Sequence, residues 1–353
     1  MYLRHAVPLF TAAVSLALAS VPAGGLDANA AGREHHAPAH ACSPYVAIDG
    51  FSDELDKTTL NGIPVAELSG LTHDTNGRVL AVADNSYLFT LDQHDNKPLD
   101  VQPLAYPDGA DIDSEAVAVN PDGTRLISDE TTPGVLTFTR SGRFVGSLPV
   151  PDALKVAPAG RATHNLTFEG LTLLAGNRTL IASMEGALAG DAPDIRRFQS
   201  WQRIGNSNRF RTGPQFAFRT DPGLDISDIT STGDGRLLVL ERTYTAGVGN
   251  TVHLVLADLT HAGDVTSTAA VEDGQPGVRQ VTSRLLADIG ACPSLGATTK
   301  QAQPNPLLDN IEGVTVNGRG KDGKLNLLMV SDDNQRPSQI TRLYSLTARL
   351  PRS

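Results

Sequence analysis

The chain has 353 residues, 40% of them hydrophobic and 19% charged, which places it among globular proteins and outside disordered ones. Its 33 Gly and 22 Pro indicate many turns. The net charge of −10 argues against a nucleic-acid partner, which would need clustered Lys and Arg, but permits cation binding and, through a cation, phosphate binding.

Arg4 and His5 precede an apolar run over residues 6–19, and Ala28-Asn29-Ala30 offers an A-x-A cleavage site. This pattern predicts a secretory signal peptide over 1–30, with an uncleaved anchor as the alternative, and a secreted or periplasmic mature protein. No second apolar run of about 18 residues follows, so no membrane span is expected once the signal is removed. Residues 31–43 read as a flexible polar lead, and 44–350 as one domain. Two cysteines in an exported chain, Cys42 and Cys292, are expected to pair; two unrelated buried thiols are the alternative.

From Tyr45 onward the chain alternates as strands do, and long 3.6-residue periodicity is scarce. One unit recurs five times: a small or acidic residue, an apolar strand, a Gly/Asn turn, a returning apolar strand and a closing acid. The copies open at Ser69-Gly70-Leu71-Thr72, Glu115-Ala116-Val117-Ala118, Glu169-Gly170-Leu171-Thr172, Asp228-Ile229-Thr230 and Glu312-Gly313-Val314-Thr315. They close at Asp84-Asn85, Asp129-Glu130, Glu185-Gly186, Glu241-Arg242 and Asp332-Asp333-Asn334. The turns, such as Asn120-Pro121-Asp122-Gly123 and Gly233-Asp234-Gly235, supply hairpin geometry.

A repeat of roughly 40–60 residues made of short strands predicts an all-β fold, a single β-propeller of five to six blades. Several domains or an open sandwich are the alternatives. The 85-residue interval from Ile229 to Val314 holds either a degenerate sixth blade or a long loop. Residues 45–48 and 51–55 are placed in the sequence to pair beside 339–346, closing the ring with strands from both termini.

In an antiparallel hairpin the start of the first strand and the end of the second share one end. Rotated about one axis, Glu115, Glu169, Asp228 and Glu312 should therefore ring the mouth of a central channel. Asp84, Glu185, Glu241, Asp332 and Asp333 are expected beside them. Such a ring repels itself unless a cation or proton compensates. Oxygen ligands from several strands suit Ca²⁺; Mg²⁺ or Mn²⁺ fit less well, and Zn²⁺ is poorly served because no His or Cys recurs there. The expected metal ligands are Glu115, Glu169, Asp228, Glu312, Asp332, Asp333 and Asn334. Solvated strand caps are the bland alternative for any one of them.

Ser69-Gly70-Leu71, Asn165-x-x-Phe168-Glu169-Gly170-Leu171, Leu240-Glu241-Arg242, Asn310-Ile311-Glu312-Gly313 and Ser331-Asp332-Asp333-Asn334 resemble the "esterase-like activity of phytase" family of exported bacterial proteins. The resemblance runs from about Tyr45 to Leu346. It implies a propeller and, by the family's name, hydrolysis of phosphoesters or carboxylesters. The third copy departs from a clean blade: residues 186–197 form a loop carrying Asp191, Asp194, Arg196 and Arg197.

No G-x-S-x-G elbow, H-E-x-x-H helix, C-x-x-C pair or Walker loop is present, and the G-x-G-x-x-G match at Gly318, Gly320 and Gly323 lies in a turn. Metal-assisted hydrolysis remains. Glu169 and Glu312 are the candidates for ligand or base, Arg242 for an oxyanion clamp and His164 for an acid/base group. Salt bridging by Arg242 and simple surface exposure of His164 are their ordinary alternatives. A small-molecule phosphoester or ester is the expected partner, as substrate, and the chain is expected to be a monomer. A non-catalytic binding propeller and a Ca²⁺-dependent lactonase are the rival functions.

Overall fold

The computed structural model describes residues 40–352, so the expected signal peptide and most of the lead lie outside the described residues. Five four-stranded antiparallel sheets follow one another along the chain. Blade 1 comprises Leu68–His73, Val79–Ala83, Tyr87–Leu91 and Pro98–Pro103; blade 2 comprises Ser114–Val119, Arg125–Asp129, Gly134–Phe138 and Phe144–Ser147. Blade 3 is built from Phe168–Leu173, Thr179–Met184, Ile195–Arg203 and Phe210–Arg219, and blade 4 from Asp225–Ser231, Arg236–Thr245, Gly249–Asp258 and Thr282–Asp288. Blade 5 takes Asn310–Arg319, Leu325–Asp332 and Leu343–Ala348, and its fourth strand is the N-terminal Val46–Ser52.

The first strand of each blade packs on the first strand of the next, and blade 5 returns to blade 1, so these five strands line a central axis. The fold is a five-bladed propeller. Apolar residues alternate onto both faces of each blade, and the core is a set of layers between blades rather than one centre. Leu80, Val82, Val117 and Phe138 fill the layer between blades 1 and 2, while Ile181, Phe198, Val239 and Val255 fill that between blades 3 and 4.

The long interval before blade 5 holds no sixth blade. It contains the rest of blade 4 and two loops, 259–281 and 289–309. The first loop lies along blade 3, where the amides of Val265 and Val281 donate to the carbonyls of Gln215 and Ala217. Buried Arg197 anchors it, pairing with both Asp191 oxygens (2.7 and 2.9 Å) and donating to the carbonyls of Val265 and Thr268. The departure seen in the third copy is thus partly a structural clasp.

Ring closure is bound on several sides. Val46–Ser52 pairs antiparallel with Leu343–Ala348, and Arg342 holds both carboxylate oxygens of Asp53 (2.6 and 2.8 Å). Cys42 and Cys292 form a disulfide between the start of the described chain and loop 289–309. Residues 40–43 are not a free lead: the amide of Cys42 donates to the Val46 carbonyl, and that of Ile48 to the His40 carbonyl. Among the described residues no helix is long and apolar enough to cross a membrane.

Candidate functional site

Every innermost strand carries a one-residue bulge at the same level. The bulge places Ser69, Glu115, Glu169, Ser227 and Glu312 at equivalent positions, turned by the extra residue away from the ordinary in-and-out alternation. The next residue in three blades is Gly, and close approach explains it. A Cβ on Gly170 would stand 2.4 Å from the Ile229 nitrogen, one on Gly70 2.5 Å from the Glu115 carbonyl oxygen, and one on Gly313 2.7 Å from the Ser69 carbonyl oxygen. The glycines let neighbouring inner strands touch, and this contact holds the bulge side chains at one rim.

A second tier comes from the ends of the second strands: Asp84, Glu130, Glu185, Arg242 and Asp332 stand opposite Glu67, Asp113, Thr167, Asp225 and Asn310. Two overlapping groups result. Carboxylate oxygens of Asp113, Glu115 and Glu130 lie within 4.8 Å of one another, as do those of Glu130, Glu169 and Glu185, with Glu130 common to both. Arg242 is the counter-charge, 2.7 Å from Glu312 Oε1 and 3.7 Å from Glu185 Oε1. Asn310 Nδ2 donates to Glu312 Oε1 at 2.9 Å and to Asp332 Oδ2 at 3.3 Å.

Electrostatics follow from crowding and burial. Burial pushes the Glu115 carboxyl well above the ordinary range, and Glu312, Glu130, Asp113 and Asp84 push it further. Glu169 and Glu185 are raised in the same way, each against the opposing pull of Arg242. Burial, Glu67, Glu312 and Asp113 raise Asp84 to about 8. For Arg242 burial disfavours the charge, but Glu312, Glu185, Glu169 and Asp332 outweigh it and keep the guanidinium protonated. An open cleft of about 400 Å³, lined by Asp84, Asn85, Asp111, Asp113, Asp129 and Thr131, adjoins this rim between blades 1 and 2.

Several expected residues stand elsewhere. Asp228 is one place beyond the acidic level, which Ser227 occupies in blade 4; its oxygens accept from the amides of Ile229 (2.7 Å) and Val314 (2.8 Å), tying blade 4 to blade 5. Asp333 is bonded to Lys57 and to the amides of Glu67 and Gln335. The amide of Asn334 caps Asp332 Oδ1 at 2.6 Å, a backbone contribution. Glu241 lies on the opposite side of its strand from Arg242, against Asp221 and His253. His164 is exposed on the loop before blade 3.

Sequence reasoning passed over Asp113 as a site residue and could not choose Glu130 over its neighbour Asp129. Asp129 accepts from the Tyr106 hydroxyl at 2.5 Å and from the Thr132 amide at 3.0 Å, so Glu130 is the member at the rim. The bulge shifts the register by one residue, and only the paired acids in Asp129-Glu130 hinted at that ambiguity.

The family model described as "Phytase-like: Esterase-like activity of phytase" matches residues 63–335, from the approach to blade 1 through the acid cluster of blade 5. The chain belongs to this family. An "Uncharacterized secreted protein" of Arthroderma benhamiae is 27% identical over 130 residues, covering 30% of this chain; the match spans 25% of that curated relative's length. Among solved structures, a gluconolactonase of Xanthomonas campestris is 11% identical with a TM-score of 0.44, over 82% of this chain and 74% of that one. A glutaminyl cyclase of Myxococcus xanthus is 10% identical with a TM-score of 0.42, over 86% and 97%. The Cys42–Cys292 disulfide of this phytase-like propeller agrees with an oxidising setting.

Proposed function

We propose that this phytase-like chain is an exported, Ca²⁺-dependent hydrolase of small phosphoesters or carboxylesters, acting at the acidic mouth. The observation that carries this reading is the convergence of Glu115, Glu130, Glu169, Glu185, Glu312 and Asp332, all buried, around one arginine. One guanidinium cannot balance six carboxyls, so protons or a cation must supply the rest.

The donor set fits Ca²⁺. It is all oxygen, and the hydroxyls of Ser69 and Ser227, each residue 2% exposed, stand unpartnered at the same bulge level as the glutamates. Glu115, Glu130, Glu169 and Glu185, with Asp113 at the edge, would hold the ion. Asp228, Asp333 and the Asn334 side chain fall outside this set, because the first two are committed to backbone amides and Lys57. When bound, the ion would neutralise a phosphate or polarise an ester carbonyl.

The chain's own groups supply the remainder. Arg242 keeps 21% of its side chain exposed and offers free N–H donors to a substrate oxyanion. Glu169, whose carboxyl is pushed above the ordinary carboxylate range by burial and by Glu115 and Glu185, takes the proton of an attacking water. The cleft between blades 1 and 2 would receive the leaving group.

The test is turnover by the purified chain of aryl esters, phosphomonoesters including phytate, and a lactone, with Ca²⁺ or chelator. Ca²⁺-dependent turnover of an ester or phosphoester, reduced at least about 100-fold in Glu169→Gln, supports the proposal. Turnover of the lactone alone redirects it to the rival chemistry, and no Ca²⁺-dependent turnover of any substrate overturns it.

A further inference from the structure

Away from the mouth, Asp221, Glu241 and His253 bring two carboxylate oxygens and one imidazole nitrogen to within 4.8 Å of one another. Three segments supply them: the link between blades 3 and 4, the second strand of blade 4 and the third. His253 is the direct cross-strand partner of Glu241, so the sheet's own ladder sets two of the three groups side by side. Asp221 is folded onto them, its amide donating to Glu241 Oε2 at 3.0 Å and its Oδ2 meeting His253 Nδ1 at 2.7 Å.

The arrangement lacks a positive partner. Glu241 is 1% exposed, yet among the described residues no Lys or Arg forms an ion pair with it, and the one hydrogen bond to its carboxylate comes from the Asp221 amide. Arg196, whose charge reaches this carboxylate, is bound instead to Asp225 at 2.7 Å and to the carbonyls of Pro193 and Leu224. A carboxylate buried without counter-charge is costly, and a second carboxylate beside it adds to the deficit.

We propose that Asp221, Glu241 and His253 form a site for one divalent transition cation, best suited to Zn²⁺ and separate from the acidic mouth. A neutral imidazole with two carboxylates is a borderline donor set, which favours Zn²⁺ over Ca²⁺. On binding, His253 exchanges its hydrogen bond with Asp221 for a metal bond through Nδ1; the ring binds as neutral imidazole with its one proton on Nε2, and a second proton, where the ring carried one, passes to solvent. The 2.7 Å separation of that nitrogen and the Asp221 oxygen lets both approach one ion with little movement. Three protein ligands leave the fourth position open, and the Asp221 side chain, 48% exposed, faces water. Water or an anionic ligand would complete the coordination.

The full mature chain, treated with chelator and dialysed, is titrated with ZnCl₂ by calorimetry and with Co²⁺ by visible absorption. One equivalent of Zn²⁺ should bind, and Co²⁺ should give ligand-field bands. His253→Ala and Asp221→Asn should each weaken Zn²⁺ binding by about tenfold or more. The second of these keeps the Asp221 backbone amide and its bond to Glu241, so it tests the site without disturbing the fold. Glu312→Gln at the mouth should bind Zn²⁺ as the parent does. Absence of Zn²⁺ binding by the parent, or parent-like binding by both variants, overturns the proposal. Loss of binding in Glu312→Gln also overturns it, by assigning the ion to the mouth. None of these outcomes depends on hydrolytic turnover, so the two proposals fail separately.

Discussion

Arg242 occupies the place in blade 4 where the other four blades carry an acid, and it is the counter-charge within the ring. Its removal leaves Glu312 and Glu185 without their guanidinium. Arg242→Met should lower stability by about 3 kcal/mol at pH 8 and by clearly less at pH 5, because burial raises the Glu185 carboxyl and makes its ionisation without a guanidinium costly at the higher pH. Urea unfolding at both pH values checks this; equal losses would show that Arg242 contributes packing rather than charge. Gly170 makes a steric demand of a different kind. A Cβ there would meet the Ile229 nitrogen at 2.4 Å, whereas one on Gly146 would meet nothing within 4 Å. Gly170→Ala should cost about 2 kcal/mol or more in thermal unfolding, and Gly146→Ala should leave it within about 0.5 kcal/mol.

The bulge and the closing strand are the two elements that make a site from a repeat. The bulge sets five equivalent side chains at one rim, and the touching inner strands keep them there. Closure then holds the ring against opening at its single chain break, through the strand pairing of Val46–Ser52, the Arg342–Asp53 pair and the Cys42–Cys292 bridge. The bridge closes a loop of 250 residues. Chain-entropy reasoning gives so long a loop about 5 kcal/mol, of which cross-links typically deliver about 2–4 kcal/mol. The Cys42→Ser/Cys292→Ser variant should unfold at a correspondingly lower denaturant midpoint while keeping the cation response of the mouth. Loss of that response with the bridge would mean that closure and site are one unit.

Across the whole molecule, the raised carboxyls couple folding to protons. Asp84 shifts from 3.8 to about 8 and Glu241 from 4.5 to about 7, both chiefly through burial. A carboxyl that holds its proton more tightly in the folded state makes folding take up protons. Below the unfolded value there is no penalty; between that value and the folded one stability falls as pH rises. The metal-free protein should therefore lose stability between about pH 4 and pH 8, a range spanned by Asp84. Ca²⁺ should restore more of it at pH 8 than at pH 5 and should release protons on binding at pH 7. Calorimetry in buffers of differing ionisation enthalpy reads that release; binding with no proton release would place the ion away from the raised carboxyls.

By itself, the sequence determined the repeat, the all-β class and the end of each hairpin at which acids gather. These follow from local periodicity, turn chemistry and antiparallel geometry, which act within a few residues. Tertiary structure decided the number of blades, because the interval before Val314 is filled by the rest of blade 4 and two loops, one of them laid along blade 3. It also decided which acid of each pair faces the mouth. One bulge residue in each inner strand moves the register by one, which brings in Glu130 and Arg242 and turns Asp129 and Glu241 away. Asp228 looks like a member of the ring in sequence, yet it serves backbone amides, since only the contact between blades shows which donors a buried carboxylate will meet.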